Sequence, residues 1–141
     1  MKVADILQSK GNNVYSVNGE ITVYDALKIM GEKNIGALLV MQDNELQGII
    51  SERDYARKII LKGKTSRDTL VNDIMTKNVI TVVPEDAIEK CMELMSGKKI
   101  RHLPVMQNDK VVGVISITDV VTAIIEMQKH TITQLENYIS G

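Results

Sequence analysis

Two short stretches decide the fold of this 141-residue chain: GIISERD at residues 48–54 and GVISITD at residues 113–119. In each stretch an apolar run ends at a serine, and an aspartate follows three residues later. If a strand ends at the serine and a helix begins beside the aspartate, a hydroxyl, a carboxylate and a helix N-terminus meet at one point. Because helix N-termini also favour phosphate, this combination of groups suits a nucleotide.

The two stretches belong to an internal repeat. Asp119 lies 65 residues after Asp54, and no gap is needed to align the surrounding positions at that offset. The aligned pairs include Val14 and Val79, Val17 and Val82, Met30 and Met95, Ile35 and Ile100, and Val40 and Val105. Residues 3–7 resemble residues 71–75 at an offset of 68, so the first copy has three extra residues near residues 10–13, where we expect a surface loop.

Each copy is predicted to form the elements β-α-β-β-α. A β-rich run, residues 14–17 or 79–82, precedes a helix whose apolar residues recur at i, i+3, i+4 and i+7. Thr22 and Asp25 have the spacing of a capping pair for the first of these helices. In the first copy, two strands are expected at residues 37–41 and 46–50 around a turn at Asp43-Asn44, with a closing helix at residues 52–61. In the second copy, the strands are expected at residues 103–106 and 111–115 around Asn108-Asp109, with a closing helix at residues 118–127. Pro104 cannot donate a ladder hydrogen bond, which places its strand at an edge.

The repeat also sets the expected domain boundaries. They are residues 1–62 for the first repeat, 63–70 for a polar linker, 71–128 for the second repeat and 129–141 for a C-terminal tail. A unit this small cannot cover both faces of its sheet, so we expect the repeats to pack together. In the tail, the spacing of Ile132, Leu135 and Ile139 predicts an added amphipathic helix, which suggests a role in assembly.

The composition argues against several classes of function. The 17 basic and 18 acidic side chains lack the basic excess of a nucleic-acid-binding protein. No apolar run is long enough to span a membrane and the N-terminus lacks a signal peptide, so we expect a cytoplasmic protein without a membrane partner. The single cysteine, Cys91, excludes an intramolecular disulfide. No nucleophile–base pair, metal-ligand cluster or P-loop is recognisable, so we assign no catalytic or metal residues.

These features together resemble a pair of cystathionine-β-synthase (CBS) domains, the Bateman module. The sequences ISERDYAR at residues 50–57 and IRHLPV at residues 100–105 are particularly similar to those of stand-alone CBS-pair proteins of bacteria and plant mitochondria. The resemblance covers nearly the whole chain. It implies an α/β (α+β) fold in which two repeats pack as a pseudo-twofold pair with an added C-terminal helix. It also implies a homodimer formed through CBS pairs and an adenosine-containing ligand, AMP, ADP, ATP, NAD or S-adenosylmethionine, without an obligatory cofactor.

Asp54 and Asp119 are the candidate ribose-binding residues. Taken alone, Ser-x-x-Asp is a helix capping box, in which the serine hydroxyl bonds a backbone N–H. The resemblance implies that the carboxylate also accepts the ribose hydroxyls, and both roles are compatible at one helix start. The hydroxyls of Ser51, Ser116 and Thr118 can donate to ligand oxygens.

Arg101 and His102 resemble the phosphate-contacting pair of the family, and arginine can grip phosphate bidentately. The matching residues of the first copy are Gly36 and Ala37, so the two sites are not equivalent. Since pseudo-twofold packing would let the repeats share a ligand, one hypothesis is that this phosphate belongs to a nucleotide whose ribose binds Asp54.

The remaining candidates carry weaker signals. Adenine needs an apolar slot, which the two β-rich runs can supply, although such runs are also ordinary core. The residues concerned are Val14, Val17, Val79, Ile80 and Thr81, and Pro104 completes the set. Arg53 is a candidate for phosphate or a neighbouring subunit, with a solvated helix face as the alternative. Lys98 and Lys99 are explained by the helix C-terminus, where cations are favourable.

The sequence therefore predicts a regulatory module that binds an adenine nucleotide. In this interpretation the nucleotide bridges the repeats, stabilises one arrangement and changes a surface offered to an unidentified protein target. One alternative is a dimeric scaffold that needs no ligand. Another is an enzyme that turns over a bound nucleotide.

Overall fold

The computed structural model describes residues 1–140. Its elements in chain order are α1 (Val3–Lys10), β1 (Ser16–Val17), α2 (Val23–Lys33), β2 (Ala37–Gln42), β3 (Glu45–Ser51), α3 (Glu52–Lys58), α4 (Val71–Ile74), α5 (Ile88–Lys98), β4 (His102–Gln107), β5 (Lys110–Ser116) and α6 (Ile117–Ser140). A short 3₁₀ helix, Ile60–Lys62, follows α3. The fold is α+β, as predicted.

The chain forms two compact units. They differ from the sequence repeats because each unit contains the short first helix, α1 or α4, of the other repeat. The first unit contains residues 14–80, and the second contains residues 1–13 together with the chain from Thr81 onward. Helix α1 therefore belongs with the second hairpin, while α4 belongs with the first. The N–H groups of Val3 and Ala4, at the start of α1, donate to the carbonyls of Asp86 and Pro84 at 2.9 Å.

The first unit is built on a three-stranded sheet. Strand β1 runs parallel to β2, and β2 pairs with β3 in an antiparallel hairpin. Asp43 and Asn44 form its two-residue turn with φ angles of 51° and 66°, the left-handed conformation that a type I′ turn requires. The buried side chains of this sheet pack against Ala26 and Met30 of α2. The predicted period of the helix therefore identified its core face.

The second unit repeats the hairpin. Strands β4 and β5 are antiparallel, with Val105 opposite Gly113, and Asn108 and Asp109 make the turn with φ angles of 53° and 63°. Cys91 is fully buried on α5, as expected for a small core residue. Burial raises the pKa of its thiol to about 11, so the thiol is protonated and unreactive at neutral pH.

The prediction of a strand at residues 79–82 is wrong. Val82 makes only an isolated parallel bridge to Val105, in which its N–H donates to the Pro104 carbonyl at 3.0 Å. In the first copy, the N–H of Leu39 donates to the Tyr15 carbonyl at 3.2 Å and extends the pairing. Pro104 is the counterpart of Leu39 and has no N–H, so the corresponding bond cannot form.

The helix expected at residues 118–127 and the added amphipathic helix of the tail are joined in one continuous helix, α6, from Ile117 to Ser140. The segment between the predicted helices, residues 128–131, contains neither glycine nor proline. Nothing in the local sequence therefore ends the helix there. The predicted helix at residues 52–61 divides into α3 and the 3₁₀ turn.

The first residue of each motif is glycine because a helix segment approaches the hairpin there. A Cβ atom at Gly48 would lie 2.7 Å from the Met75 sulfur and 2.8 Å from the Thr76 carbonyl oxygen. A Cβ atom at Gly113 would lie 2.6 Å from a terminal methyl carbon of Leu7. Only glycine accommodates these approaches without displacing a neighbour.

The residues predicted to form a linker pack onto α2 in the first unit. Thr69 is buried, and its carbonyl accepts a hydrogen bond from the Val23 N–H at 2.8 Å. The Ser66 carbonyl accepts a hydrogen bond from the Tyr24 N–H at 2.9 Å. These bonds satisfy N–H groups that the first turn of a helix leaves unpaired.

None of the helices within residues 1–140 is both long enough and apolar enough to cross a membrane.

Candidate functional site

Each Ser-x-x-Asp motif forms a reciprocal capping box. In the first unit, Ser51 N–H donates to Asp54 Oδ2 at 2.9 Å, and Asp54 N–H donates to Ser51 Oγ at 3.3 Å. In the second unit, Ser116 N–H donates to Asp119 Oδ2 at 2.8 Å, and Asp119 N–H donates to Ser116 Oγ at 3.2 Å. The strand-to-helix junctions thus have the local geometry that the motif predicts. We refer to them as the first and second junctions.

A lysine pairs with the carboxylate at each junction, but the two lysines come from different places. Lys58 lies one turn after Asp54 on α3, and its Nζ is 3.1 Å from Asp54 Oδ1. Lys10 lies at the end of α1, and its Nζ is 2.7 Å from Asp119 Oδ2. Lys58 also donates to the Ile74 carbonyl at 2.7 Å, and Lys10 donates to the Val114 carbonyl at 2.9 Å. Each lysine therefore ties its junction to neighbouring backbone.

Sequence reasoning missed both lysines. The spacing of Asp54 and Lys58 at i, i+4 is a readable signal for an ion pair on a helix. No such signal exists for Lys10, which is 109 residues from Asp119. The residues around Lys10 were expected in a surface loop, whereas Lys10 itself ends α1.

The environment of Asp119 stabilises its charged form. Burial is the largest influence and would raise the pKa of its carboxyl group. The hydrogen bonds from Lys10 and from the Ser116 N–H, with the positive charge of Lys10, outweigh burial and hold the pKa below its ordinary value. Asp119 is therefore a carboxylate at neutral pH and can accept hydroxyl hydrogen bonds.

The structure places Arg101 and His102 beside the second junction. His102 is the first residue of β4 and lies opposite Ser116, while the Arg101 carbonyl accepts the Ile117 N–H at 2.8 Å. Arg101 is exposed and His102 is partly buried. Burial lowers the pKa of His102, and the nearby positive charges of Lys10 and Arg101 act in the same direction against the attraction of Asp119. His102 is thus mainly neutral at pH 7.

At the first junction the same positions carry no cationic side chain. Ala37 lies opposite Ser51, and the Gly36 carbonyl accepts the Glu52 N–H at 3.0 Å. The backbone arrangement matches that of the second junction, so the difference between them lies in the side chains.

The remaining candidates occupy several local environments. In the first unit, Val17 is buried in β1 next to Val40, Val14 is partly buried just before β1, and Arg53 is partly buried in the first turn of α3. Val79 and Ile80 are also partly buried there, in irregular chain. In the second unit, Thr81 is exposed, Thr118 is exposed on the first turn of α6, and Pro104 is buried in β4.

A cavity of about 210 Å³ lies next to the second junction, between α1 and α6. Asp119 and Lys10 contribute to its lining, together with the acidic side chains of Asp5 and Glu126. This volume is below the roughly 300–1,000 Å³ of typical small-molecule pockets, and the carboxylates oppose an anion. The size and the acidic lining of this cavity therefore disfavour phosphate.

Within residues 1–140, no group of three or more His, Cys, Asp or Glu side chains has the arrangement of a metal site.

Comparisons with known proteins give consistent results. A family model described as "CBS domain" matches residues 3–61 and 71–126. The mitochondrial CBS domain-containing protein CBSX3 of Arabidopsis thaliana is 41% identical over 148 residues, which cover 99% of this chain and 72% of the relative. The structure of a protein with CBS domains from Burkholderia ambifaria is 45% identical and has a TM-score of 0.87, covering 89% of this chain and 95% of that one.

A second similar structure contains ligands. It is a CBS domain pair in complex with 5′-methylthioadenosine and S-adenosyl-L-methionine. It is 28% identical, has a TM-score of 0.78, and covers 88% of this chain and 95% of that one.

Proposed function

Because the chain belongs to the CBS domain family, we propose that it is a regulatory module that binds an adenosine-containing ligand of the AMP, ATP or NAD class. The observation that carries this proposal is the duplicated junction. At each one, serine N–H holds a partly buried aspartate at the start of a helix. The related CBS pair that binds 5′-methylthioadenosine and S-adenosyl-L-methionine supports the choice of ligand class.

Asp119 retains an acceptor for the ligand. Its Oδ2 accepts from Ser116 N–H and Lys10 Nζ, and a carboxylate can accept about four hydrogen bonds, so its Oδ1 can accept as well. A cis-diol of ribose can donate to that oxygen while the capping box stays intact. Lys10 keeps the carboxylate ionised during binding.

The two junctions differ in their suitability for phosphate. Arg101 is exposed and its carbonyl bonds to the second junction, and an arginine can form two parallel hydrogen bonds with a phosphate group. His102 adds an N–H donor without much charge at neutral pH, because its pKa is lowered. The first junction has Gly36 and Ala37 at these positions. We expect a phosphorylated ligand to depend on the basic pair and an unphosphorylated adenosine compound not to depend on it.

Regulation follows if ligand binding favours one conformation of the chain over another. The shift is limited by the difference in affinity between the two conformations, and it would alter a surface recognised by a partner protein. A catalytic step is not part of this proposal.

Isothermal titration calorimetry of the nucleotide-free, folded chain tests the proposal. The ligands are AMP, ADP, ATP, NAD, S-adenosylmethionine and 5′-methylthioadenosine, with GMP as the control for the base. We expect saturable heat with at least one adenosine compound, and a 10- to 100-fold lower affinity after Asp54→Asn or Asp119→Asn, the loss typical of charge-assisted hydrogen bonds.

Asp25→Asn is the matched control. Asp25 also follows a helix cap by three residues, since its N–H donates to Thr22 Oγ1 at 3.1 Å, but it lies outside both junctions. It should leave affinity unchanged. Absence of heat with all six adenosine compounds, or equal losses in the three variants, would refute the proposal.

The second candidate function is a scaffold that needs no ligand. It is favoured by the apolar side chains that α6 exposes along its length, including Ile125, Ile132 and Leu135. Such exposed apolar positions are typical of interaction surfaces. Normal assembly of a chain that binds none of the adenosine compounds would support this candidate instead.

A further inference from the structure

The second half of α6 extends away from the rest of its unit. Val120 and Ala123 are buried where the helix begins, but every residue from 128 to 140 is exposed. Isolated helices shorter than about 12–15 residues are marginal in water, and most helical stability in proteins comes from packing. A 13-residue extension in which every residue is exposed therefore calls for a partner.

The exposed side chains of α6 follow a heptad pattern. The α6 seam consists of Val121, Ile125, Gln128, Ile132, Leu135 and Ile139, whose spacings alternate between four and three residues. All six are exposed, and the five apolar members range from 39% to 83% exposure. This alternation is the signature of a coiled-coil seam, in which the three isoleucines occupy a positions and the other three residues occupy d positions.

We propose that the partner of the α6 seam is the same seam of a second copy, in a parallel, in-register, two-stranded coiled coil. β-Branched residues at a together with leucine at d favour parallel dimers. Here isoleucine fills every a position and Leu135 fills one d position. The seam thus specifies both the occupant and its direction.

Gln128 distinguishes the parallel arrangement from the antiparallel one. In the parallel register Gln128 meets its own counterpart, and the two amides can hydrogen-bond with each other. In an antiparallel arrangement of the same seam, Gln128 would face Ile132, and its amide would be buried against an apolar side chain at a cost. A single polar residue at an a position is known to fix register, and we expect Gln128 to act in the same way at its d position.

The size and charge of the seam agree with a second copy as occupant. The five apolar side chains of two seams would together remove on the order of 1,000 Å² from water, which reaches the lower bound for a specific interface. In the parallel register Lys129 and Glu136 occupy e positions, facing Ile124 and Thr131 at g positions of the other copy. No like charges therefore meet across the interface.

The mass of the full chain in solution tests the occupant. We compare wild type with Ile132→Glu/Leu135→Glu on the seam and with Thr133→Glu/Gln134→Glu on the opposite face of α6. The two double variants add the same charge. By sedimentation equilibrium, wild type and the control should be dimers with similar dissociation constants, and the seam variant should dissociate at least about 100-fold more readily, since each buried glutamate is costly.

Three results would overturn the proposal. They are a monomeric wild type at high micromolar concentration, a seam variant that dimerises like wild type, and equal weakening by both double variants. Unfolding of the two units should be unchanged in the seam variant, because the substituted side chains lie on the exposed extension and outside the buried core. Dimerisation is measured without nucleotide, so it succeeds or fails independently of ligand binding.

A disulfide tests the direction. Leu135→Cys places a thiol at a d position, where the two copies of a parallel pair approach closely enough for a disulfide. The native Cys91 is buried with a pKa of about 11 and does not compete. Mild oxidation should give a covalent dimer with Leu135→Cys and none with Asn137→Cys on the outer face. A variant that remains a non-covalent dimer but fails to cross-link would refute the parallel register.

Discussion

The two junctions share a capping box but recruit their lysines differently, and the contrast separates local from tertiary causes. At the first junction Lys58 reaches Asp54 from the next turn of the same helix. At the second, Lys10 reaches Asp119 from α1, 109 residues away. The first arrangement is local, whereas the second exists only because α1 packs in the second unit. Two copies of one motif can therefore share a backbone conformation while the lysine that pairs with the aspartate comes from a different part of the chain.

The largest expected effect concerns the basic pair, which only the second junction has. Arg101→Ala should weaken AMP binding about 10- to 100-fold, because hydrogen bonds to a charged phosphate are worth about 1.5–3 kcal/mol. Adenosine, which has no phosphate, should bind both proteins equally. Titration calorimetry with the two ligands measures the difference.

Lys98→Ala is the control for general loss of positive charge, since Lys98 lies at the end of α5. Equal losses with Arg101→Ala and Lys98→Ala would remove the specific role of Arg101. Double variants that combine Arg101→Ala with Asp54→Asn or Asp119→Asn then show which carboxylate acts with the arginine. Non-additive losses identify the coupled pair.

An intermediate effect is expected from the glycine that opens each motif. Gly48→Ala should lower the free energy of unfolding by about 1–3 kcal/mol, since the new methyl group meets the Thr76 carbonyl as well as Met75. Gly113→Ala should lower the free energy of unfolding by less, because the new methyl group meets only the flexible end of the Leu7 side chain. Urea unfolding measures both changes.

Gly97→Ala serves as the reference for this pair. A Cβ atom at Gly97, in the last turn of α5, meets nothing within 4 Å, and alanine there should stabilise the protein by about 0.5 kcal/mol, the lower end of the value for a helix interior. A larger loss at Gly113 than at Gly48 would contradict the contacts described for the two junctions.

The smallest effect is expected from the lysines. Lys10→Met and Lys58→Met should each cost about 1 kcal/mol or less at neutral pH, because both ion pairs are partly exposed and screened by solvent. Methionine preserves the apolar stem of the side chain. Urea unfolding at several pH values provides the measurement.

The pH dependence distinguishes Lys10 from a purely structural contact. Because the folded pKa of Asp119 lies below its ordinary value of 3.8, the stability it contributes is present above that value and is lost as the pH falls through the folded pKa. The difference between wild type and Lys10→Met should therefore shrink in acid. Carboxyl NMR should show a higher pKa for Asp119 in Lys10→Met. An unchanged pKa would eliminate the proposed role of Lys10.

The sequence was most informative where the determinants are close together. The turns at Asp43-Asn44 and Asn108-Asp109, the cap at Thr22 and both capping boxes depend on residues within a few positions of one another, and each forms as predicted. The capping boxes show that the aspartates have a local role. Whether they also bind ribose stays a prediction for the titrations above.

The lost strand and the joining of the two C-terminal helices have different causes. The lost strand at residues 79–82 was readable in principle, because Pro104 removes the N–H that Leu39 supplies in the other copy. The continuous α6 was less readable, because three residues at one apolar spacing do not reveal whether a polar segment before them is helical.

The sequence by itself determined the repeat, the hairpins, the glycine-to-aspartate motif and the position of the basic pair, because these follow from periodicity, turn chemistry and the identity of neighbouring residues. Only the tertiary structure decided that α1 joins the second unit and α4 the first, that Lys10 pairs with Asp119, and that Leu7 and Met75 press against the two motif glycines. Those contacts join residues far apart in the chain. They depend on how the apolar faces of the helices are buried, which no local pattern specifies.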